Sequence, residues 1–158
     1  IGLMSVIALH ARGFRCDLVA RYDHQRNIAE KYGTSKDISE DYSLVIDAVG
    51  NSDSVQQASQ KLRPMGRILM LGSFWDGANL DLQFSAKELT IIAAATYRCG
   101  SSQRDFAEAA SILANDASIA RNMITHRFPL EGCDEAFNTA TDRSQGTVKV
   151  VFDLPTRQ

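Results

Sequence analysis

Short, almost entirely apolar segments alternate with a helical pattern through the middle of this chain. Residues 44–48 and 67–71 are the apolar runs, and between them Val55, Ala58 and Leu62 recur at helical spacing. Runs without polar alternation are typical of strands covered on both faces, as in a parallel sheet. The succession of strand, helix and strand is a βαβ series, and it predicts an α/β fold.

The first thirteen residues predict a buried helix that no strand precedes in this sequence. Residues 1–11 are apolar almost all round, Arg12 and Arg15 supply charge near the end, and Gly13 follows the last turn. A helix that is apolar on every side packs against a sheet. In nucleotide-binding folds, the turn that joins a strand to such a helix binds phosphate groups.

Further elements are predicted on both sides of this series. Residues 17–20 predict a short strand, and residues 24–32 predict a helix that Gly33 ends. Residues 78–84 alternate apolar and polar side chains, which favours a half-exposed edge strand, and residues 89–96 predict a buried strand. Residues 102–105 resemble a capping box before a helix. Strands at 124–129 and 148–152 then flank a small helix. The apolar stripe of the capped helix is Phe106, Ala109, Ala110 and Leu113.

Length, charge and cysteine content limit the classes of protein. A chain of 158 residues fits one domain, or one domain with a small appendage. A net charge of −2 and no Lys/Arg block argue against nucleic acid as a partner, and no apolar run is long enough to cross a membrane. Cys16, Cys99 and Cys133 are too far apart in sequence for a zinc motif or a disulfide framework. We therefore expect reduced cysteines and a cytoplasmic protein.

Small residues at two successive strand ends are the strongest candidate binding feature. In open parallel sheets, ligands bind beyond the carboxyl ends of strands, where small residues let a flat ring approach the backbone. Val49 precedes Gly50 after the first run, and Leu71, Gly72 and Ser73 end the second. Gly2 fits the third glycine of G-x-G-x-x-G, although a plain packing role explains it equally well.

The end of the predicted strand at 17–20 bears on the choice between NAD and NADP. An acidic residue at this position hydrogen-bonds a free ribose 2′-hydroxyl, whereas a 2′-phosphate favours an arginine and no acid. Ala20, Arg21 and Arg26 fit the recognition of a 2′-phosphate, because the position holds no acid and two arginines follow it. The alternative is that both arginines are merely solvated, and Asp23 lies close enough to oppose a phosphate.

No catalytic residue is predicted. His10, His24 and His126 are scattered, without companions at metal-ligand spacing, so structural roles are favoured for them. The sequence has no G-x-S-x-G motif and no acid pair whose spacing suggests general acid–base catalysis.

These segments together resemble the medium-chain dehydrogenase/reductase family, in its zinc-type alcohol dehydrogenase group. The resemblance covers the whole chain in order and is carried by six stretches of sequence. They are Ile1-Gly2-Leu3, Leu44 to Gly50, Leu62 to Arg67, Ile124 to Glu131, Glu135-Ala136-Phe137, and the closing Val148 to Phe152. It implies a doubly wound Rossmann-type parallel sheet that lacks its first strand, followed by a small α+β C-terminal segment.

The resemblance also implies roles for individual residues. Gly2 matches the last glycine of the dinucleotide turn, and Ala20 and Arg21 stand where the family discriminates NAD from NADP. Val49, Leu71, Gly72 and Ser73 match strand ends that border the nicotinamide ring. Arg98 matches a basic residue that reaches the cofactor pyrophosphate. Residues 1–95 would form the dinucleotide-binding domain, residues 96–158 would return to the catalytic domain, and Asn79 to Phe84 would lie near a dimer edge.

The sequence departs from the family in what it lacks. Family members carry an N-terminal catalytic domain with the zinc ligands, and no part of that domain occurs here. The expectation is therefore a fragment of an NADP-preferring alcohol dehydrogenase or reductase, with NAD as the alternative cofactor and zinc confined to the missing domain. The whole protein would transfer hydride between an alcohol or carbonyl substrate and the nicotinamide. Alternatives are a non-catalytic remnant that binds a partner, and a zinc-free relative of the quinone reductases.

Overall fold

The computed structural model describes residues 1–35, 37–73, 77–94 and 102–154. The helices and strands of the described residues follow one another in this order: α1 (Gly2–Ala11), α2 (Asp23–Glu30), β1 (Tyr42–Asp47), α3 (Ser52–Lys61), β2 (Leu62–Met70), α4 (Leu82–Ala86), β3 (Thr90–Ala93), α5 (Ser102–Asn115), α6 (Ser118–Met123), β4 (Ile124–Pro129), α7 (Cys133–Thr141) and β5 (Lys149–Asp153). Single 3₁₀ turns lie at Leu130–Gly132 and Arg143–Gln145.

The fold is α/β, as the sequence predicts, with a parallel sheet in the order β1-β2-β3. Leu44 of β1 pairs with Arg67 of β2, and Leu69 of β2 pairs with Ile92 of β3. A second, two-stranded parallel sheet consists of β4 and β5. Because parallel neighbours need a crossover, a helix separates β1 from β2 and β2 from β3 along the chain.

The chain divides into two compact units, each with its own buried residues. The first comprises Ile1–Ser5 and Asp37–Ala107, and the second comprises Val6–Lys36 and Glu108–Gln158. The core of the first unit lies between α3 and the sheet and consists of Val55, Ala58, Leu62, Ile68, Met70 and Leu89. The second buries one face of α2, the end of α6 and the middle of α7, through Ile28, Ala29, Tyr32, Ile119, Met123 and Ala136. The predicted domain boundary at residue 95 stays a prediction.

The predicted strand at residues 17–20 is wrong. This segment is irregular, and it pairs with no strand among the described residues. A strand exists only where a neighbour completes its ladder of hydrogen bonds, so a β-favouring sequence without such a neighbour stays irregular.

The predicted edge strand at residues 78–84 is also wrong, while the expectation that Asn79 to Phe84 lie near a dimer edge stays a prediction. Residues 82–86 form the short helix α4 instead. The carboxylate of Asp81 accepts a hydrogen bond from the Phe84 backbone N–H at 2.9 Å, so it caps the first turn. The capping interaction therefore decides the local structure against the apolar–polar alternation.

One prediction of burial fails as well, that of the strand at residues 89–96. The stripe on α5, whose burial the sequence left open, is exposed, with Phe106 61% exposed and Leu113 also exposed. Strand β3 has exposed side chains at Thr90, Ile92 and Ala93, so it is not a buried strand over its described length. Helix α5 begins at Ser102, the residue expected to be the N-cap of the capping box, so the helix starts one residue earlier than predicted.

Candidate functional site

A buried carboxylate organises the turn after β1. Asp47, the last residue of the strand, is 5% exposed. Its Oδ1 accepts the backbone N–H groups of Val49 at 2.8 Å and Gly50 at 3.1 Å. Its Oδ2 accepts the Ser54 hydroxyl at 2.8 Å. These charge-assisted bonds hold the turn against the start of α3, so the direction of the loop is determined by one side chain.

The next strand end is joined to this turn through the backbone. The Asp47 carbonyl accepts hydrogen bonds from the N–H groups of Leu71 at 2.8 Å and Gly72 at 3.0 Å. A Cβ on Gly50 would lie 2.7 Å from the carbonyl carbon of Gly72, and a Cβ on Gly72 would lie 2.5 Å from the Gly50 nitrogen. Only glycine fits at both positions, because real Cβ atoms essentially never approach other atoms so closely.

The four predicted strand-end residues are therefore brought together. Val49 is 62% exposed, Ser73 is exposed, and Leu71 and Gly72 are partly exposed. They lie at the carboxyl edge of the parallel sheet, which is where such sheets bind ligands. Their adjacency is an observation, and their part in cofactor binding stays a prediction.

Asp47 is a positioning residue of the candidate site that the sequence reasoning did not single out. The signal was an acidic residue inside an otherwise apolar strand, immediately before Val49-Gly50-Asn51. Asn51 and Ser54 add a reciprocal capping box at the start of α3. A buried carboxylate needs hydrogen-bond donors. An acidic residue at the end of an apolar strand could therefore have indicated that the following turn folds back onto it.

The residues predicted to recognise a ribose phosphate lie in the second unit. Arg26 donates hydrogen bonds to the Ala20 carbonyl and to the Asp23 carboxylate. Much of its donor capacity is thus used within the first turn of α2. The Arg21 side chain is exposed, and its guanidinium carbon lies 5.4 Å from the centre of the Tyr22 ring.

An aromatic stack continues from Arg21. The Tyr22 and His24 rings are 5.5 Å apart and inclined by 19°. His24 Nε2 is buried and has no hydrogen-bond partner among the described residues. The Arg21 guanidinium, the Tyr22 ring and the His24 ring therefore follow one another in a stack at the start of α2. Arg21 is the exposed end of this stack.

The remaining predicted contacts are Gly2 and Arg98. Gly2 is the first residue of α1 and is partly exposed, which is compatible with a helix start close to a ligand. Arg98 lies outside the described residues, and its predicted contact with the pyrophosphate stays a prediction.

Two further kinds of chemistry, metal binding and thiol nucleophilicity, concern the His, Cys, Asp and Glu side chains of the described residues. Within it, no three His, Cys, Asp or Glu side chains cluster as metal ligands would. Burial, with a further contribution from the Asp17 carboxylate, raises the pKa of the Cys16 thiol, which favours its unreactive neutral form. No helix of the described residues is long and apolar enough to span a membrane.

Comparison with known proteins gives structural but not sequence matches. No family model and no curated sequence matches the chain. Solved structures that share its fold include an alcohol dehydrogenase from Thermotoga maritima (TM-score 0.76, 18% identity, covering 95% of this chain and 46% of that one). A short chain alcohol dehydrogenase from E. coli complexed with NADH superimposes with a TM-score of 0.73 at 18% identity, covering 98% of this chain and 49% of the other.

A third match is a putative zinc-binding dehydrogenase from Sinorhizobium meliloti bound to NADP. Its TM-score is 0.74 at 18% identity, and the alignment covers 98% of this chain and 49% of that one. The chain thus spans about half the length of the structures it matches. At these identities the likeness establishes a shared fold, that of a portion of the dehydrogenase chains.

Proposed function

We propose that this chain is the nicotinamide-cofactor-binding portion of an alcohol dehydrogenase or reductase of the medium-chain type. The observation that carries the proposal is the contact between Gly50 and Gly72 at the carboxyl edge of the sheet. Beside this contact Val49 and Ser73 are exposed and Gly72 is partly exposed, so a flat ring can approach the backbone closely there. The shared fold with dehydrogenases solved with NADH and NADP supports the same conclusion.

When bound, the nicotinamide would accept or donate the hydride exchanged with an alcohol or carbonyl carbon. The residues of this chain would bind and orient it. Asp47 holds the Val49–Gly50 turn, and the main-chain bonds from Leu71 and Gly72 hold the second strand end beside it. Both surfaces are held in place before the cofactor binds, which lowers the entropy cost of binding.

We further propose a preference for NADPH over NADH. No acidic residue occupies position 20, where one would repel a 2′-phosphate, and the exposed guanidinium of Arg21 is available to pair with that phosphate. Arg26 would act mainly by fixing the Ala20 carbonyl and neutralising Asp23, since both already accept its hydrogen bonds.

Cofactor titrations of the chain, followed by the fluorescence of the reduced nicotinamide, test this function. NADPH is expected to bind more tightly than NADH. Arg21→Ala should weaken NADPH binding about tenfold, the order of one charge-assisted contact, and leave NADH binding unchanged. Arg15→Ala, at another exposed arginine, is the matched control and should change neither. Tighter binding of NADH, or equal losses for both cofactors, would overturn the preference.

A second pair of variants tests the strand-end surface. Val49→Trp places a large side chain on this surface, at a position exposed enough to accept it, and should abolish binding of both cofactors. Leu130→Trp, at an exposed residue outside the proposed site, should not. Unchanged binding in Val49→Trp would refute this placement of the cofactor.

A non-catalytic interaction module is the second candidate function. The observation that favours it is the solvent-facing apolar stripe of α5, with Phe106 and Leu113 exposed. The titrations discriminate between the two, because an interaction module would bind neither NADPH nor NADH.

A further inference from the structure

The second unit contains an open cleft of about 480 Å³ that none of the predicted cofactor contacts lines. Its floor is apolar and consists of Ile7, Ile119 and the Tyr32 ring, all buried. Ile112 of α5 forms one wall. This volume lies within the range of small-molecule sites. The cleft is more polar than most such sites, because its lining also includes His10, Arg12, Glu108, Ser111, Asn115 and Asp116.

The positive charge at the rim is already neutralised. Arg12 pairs with Glu108 at 3.0 Å, and its Nη1 donates to the Ala8 carbonyl at 3.2 Å near the end of α1. The guanidinium thus caps one helix and compensates one carboxylate. An anionic ligand entering the cleft would find its one lining arginine occupied.

The negative charge at the rim is less fully compensated. Helix α5 ends at Asn115 with no basic residue in its last turn, so no cationic side chain from that turn offsets the negative end of the helix dipole. Asp116 follows directly and lines the cleft. Hydrogen bonds from the Ser118 hydroxyl and backbone N–H lower the pKa of Asp116 and keep it ionised, and Arg121 and His10 act more weakly in the same direction.

Hydrogen bonds keep the floor of the cleft in place. The Tyr32 hydroxyl accepts from Asn122 Nδ2 at 3.1 Å, and Lys31 Nζ donates to Asn122 Oδ1 at 2.8 Å. The His10 ring meets the Tyr32 ring edge to face, with centroids 5.8 Å apart. A ligand ring would therefore meet an aromatic surface that is held before binding, at little further entropy cost.

From this apolar floor and anionic rim we infer that the cleft binds a small amphiphilic cation, an arylalkylamine in chemical class. The aromatic part would lie on Ile7, Ile119 and Tyr32, and the ammonium group would approach Asp116 and the carboxyl end of α5. The contacts required are charge-assisted hydrogen bonds and apolar burial, and no covalent step is involved.

Three probes of similar size and different charge test the inference: phenethylamine, phenethyl alcohol and hydrocinnamate. Each is titrated into the ¹⁵N-labelled chain, and the amide shifts of Ser111, Ile112 and Asn115 are followed. Phenethylamine should move these signals saturably, phenethyl alcohol should bind at least about fivefold more weakly, and hydrocinnamate should not bind. Equal affinity for all three probes, or no saturable shift with phenethylamine, would overturn the inference.

Variants locate the site. Asp116→Asn keeps an acceptor for Ser118 but removes the negative charge. It should weaken the binding of phenethylamine about fivefold. Asp142→Asn is the control, because Asp142 accepts from Ser144 in the same way and does not line the cleft.

Ile112→Trp should fill the cleft and abolish binding of phenethylamine. Leu113→Trp, at the next residue and outside the lining, should not. If Ile112→Trp does not fold, Ser111→Phe at the exposed rim obstructs the same space. Binding that survives in the filled cleft would refute the site.

Discussion

Gly50 and Gly72 lie backbone to backbone where β1 and β2 end, so close that neither position has room for a Cβ atom. On Gly50 it would meet the Gly72 carbonyl carbon at 2.7 Å, and on Gly72 it would meet the Gly50 nitrogen at 2.5 Å. Gly50 also has φ of +80°, a conformation that side chains disfavour. The candidate cofactor surface is thus built by two glycines that are 22 positions apart in sequence.

Gly72→Ala should destabilise the first unit by about 3 kcal/mol, because the new methyl group must displace backbone atoms rather than a flexible side chain. Denaturant unfolding measures the loss. Gly146→Ala is the control: Gly146 has φ of +82° but nothing within 4 Å of the added Cβ, so it should cost about 1 kcal/mol from backbone strain alone. Equal losses in the two variants would contradict the close approach.

Asp47→Ala should lower the free energy of unfolding by about 3 kcal/mol, because two backbone N–H groups and the Ser54 hydroxyl lose a buried charged acceptor. Asp53→Ala, at an exposed acid in the first turn of α3, should cost only about 0.5 kcal/mol through the helix dipole. A similar loss in both variants, measured by denaturant unfolding, would show that Asp47 does not organise the turn.

Lys87→Met should destabilise the chain by about 2 kcal/mol. Lys87 Nζ donates to the carbonyls of Ser59 at 2.9 Å, Gln60 at 3.0 Å and Leu62 at 2.7 Å, and methionine would leave these carbonyls at the end of α3 without their donor.

Lys61→Met is the comparison for Lys87→Met. It removes an ion pair with the exposed Glu40 and should cost less than about 1 kcal/mol. Thermal or denaturant unfolding of both variants distinguishes a helix-capping lysine from a surface charge. Equal stability of Lys87→Met and the unmodified chain would contradict the capping role.

Ser144→Ala should raise the pKa of Asp142 back towards its ordinary value of 3.8. The Ser144 hydroxyl is the largest cause of the lowering, followed by Gln145 and the Ser144 backbone N–H. Since the folded pKa lies below the unfolded one, Asp142 contributes stability above pH 3.8 and loses it as the pH falls through the folded pKa. Carboxyl NMR titration measures the shift, and Asp116, capped by Ser118, should titrate unchanged. An unaltered Asp142 titration would contradict the prediction.

Local pattern was sufficient to predict most elements. Strands β1, β2, β4 and β5 and helices α2, α3 and α7 lie where apolar runs and helical spacing predict them, and α3 even has its own capping box. The pattern failed where another interaction outweighed it. Asp81 capped a helix in a segment with strand-like alternation, and residues 17–20 had the composition of a strand without a neighbour to pair with.

The exposure of the α5 stripe could not be predicted from helical spacing. Helical spacing indicates which side chains share a face, but whether that face is covered depends on what packs against it. Phe106 and Leu113 share the predicted face, and both are exposed in the described structure.

The sequence by itself determined the α/β class and the glycine-ended strands, because hydrophobic period and turn residues act over a few neighbouring positions. Tertiary structure alone decided that Gly50 meets Gly72 and that Asp47 is buried beneath the turn. The approach of the two glycines depends on parallel register, which brings together residues that are far apart in the chain. The burial of Asp47 depends on what packs around it. The contacts of Arg26 with Ala20 and Asp23 are local in sequence, but they depend on side-chain direction, which hydrophobic spacing does not encode.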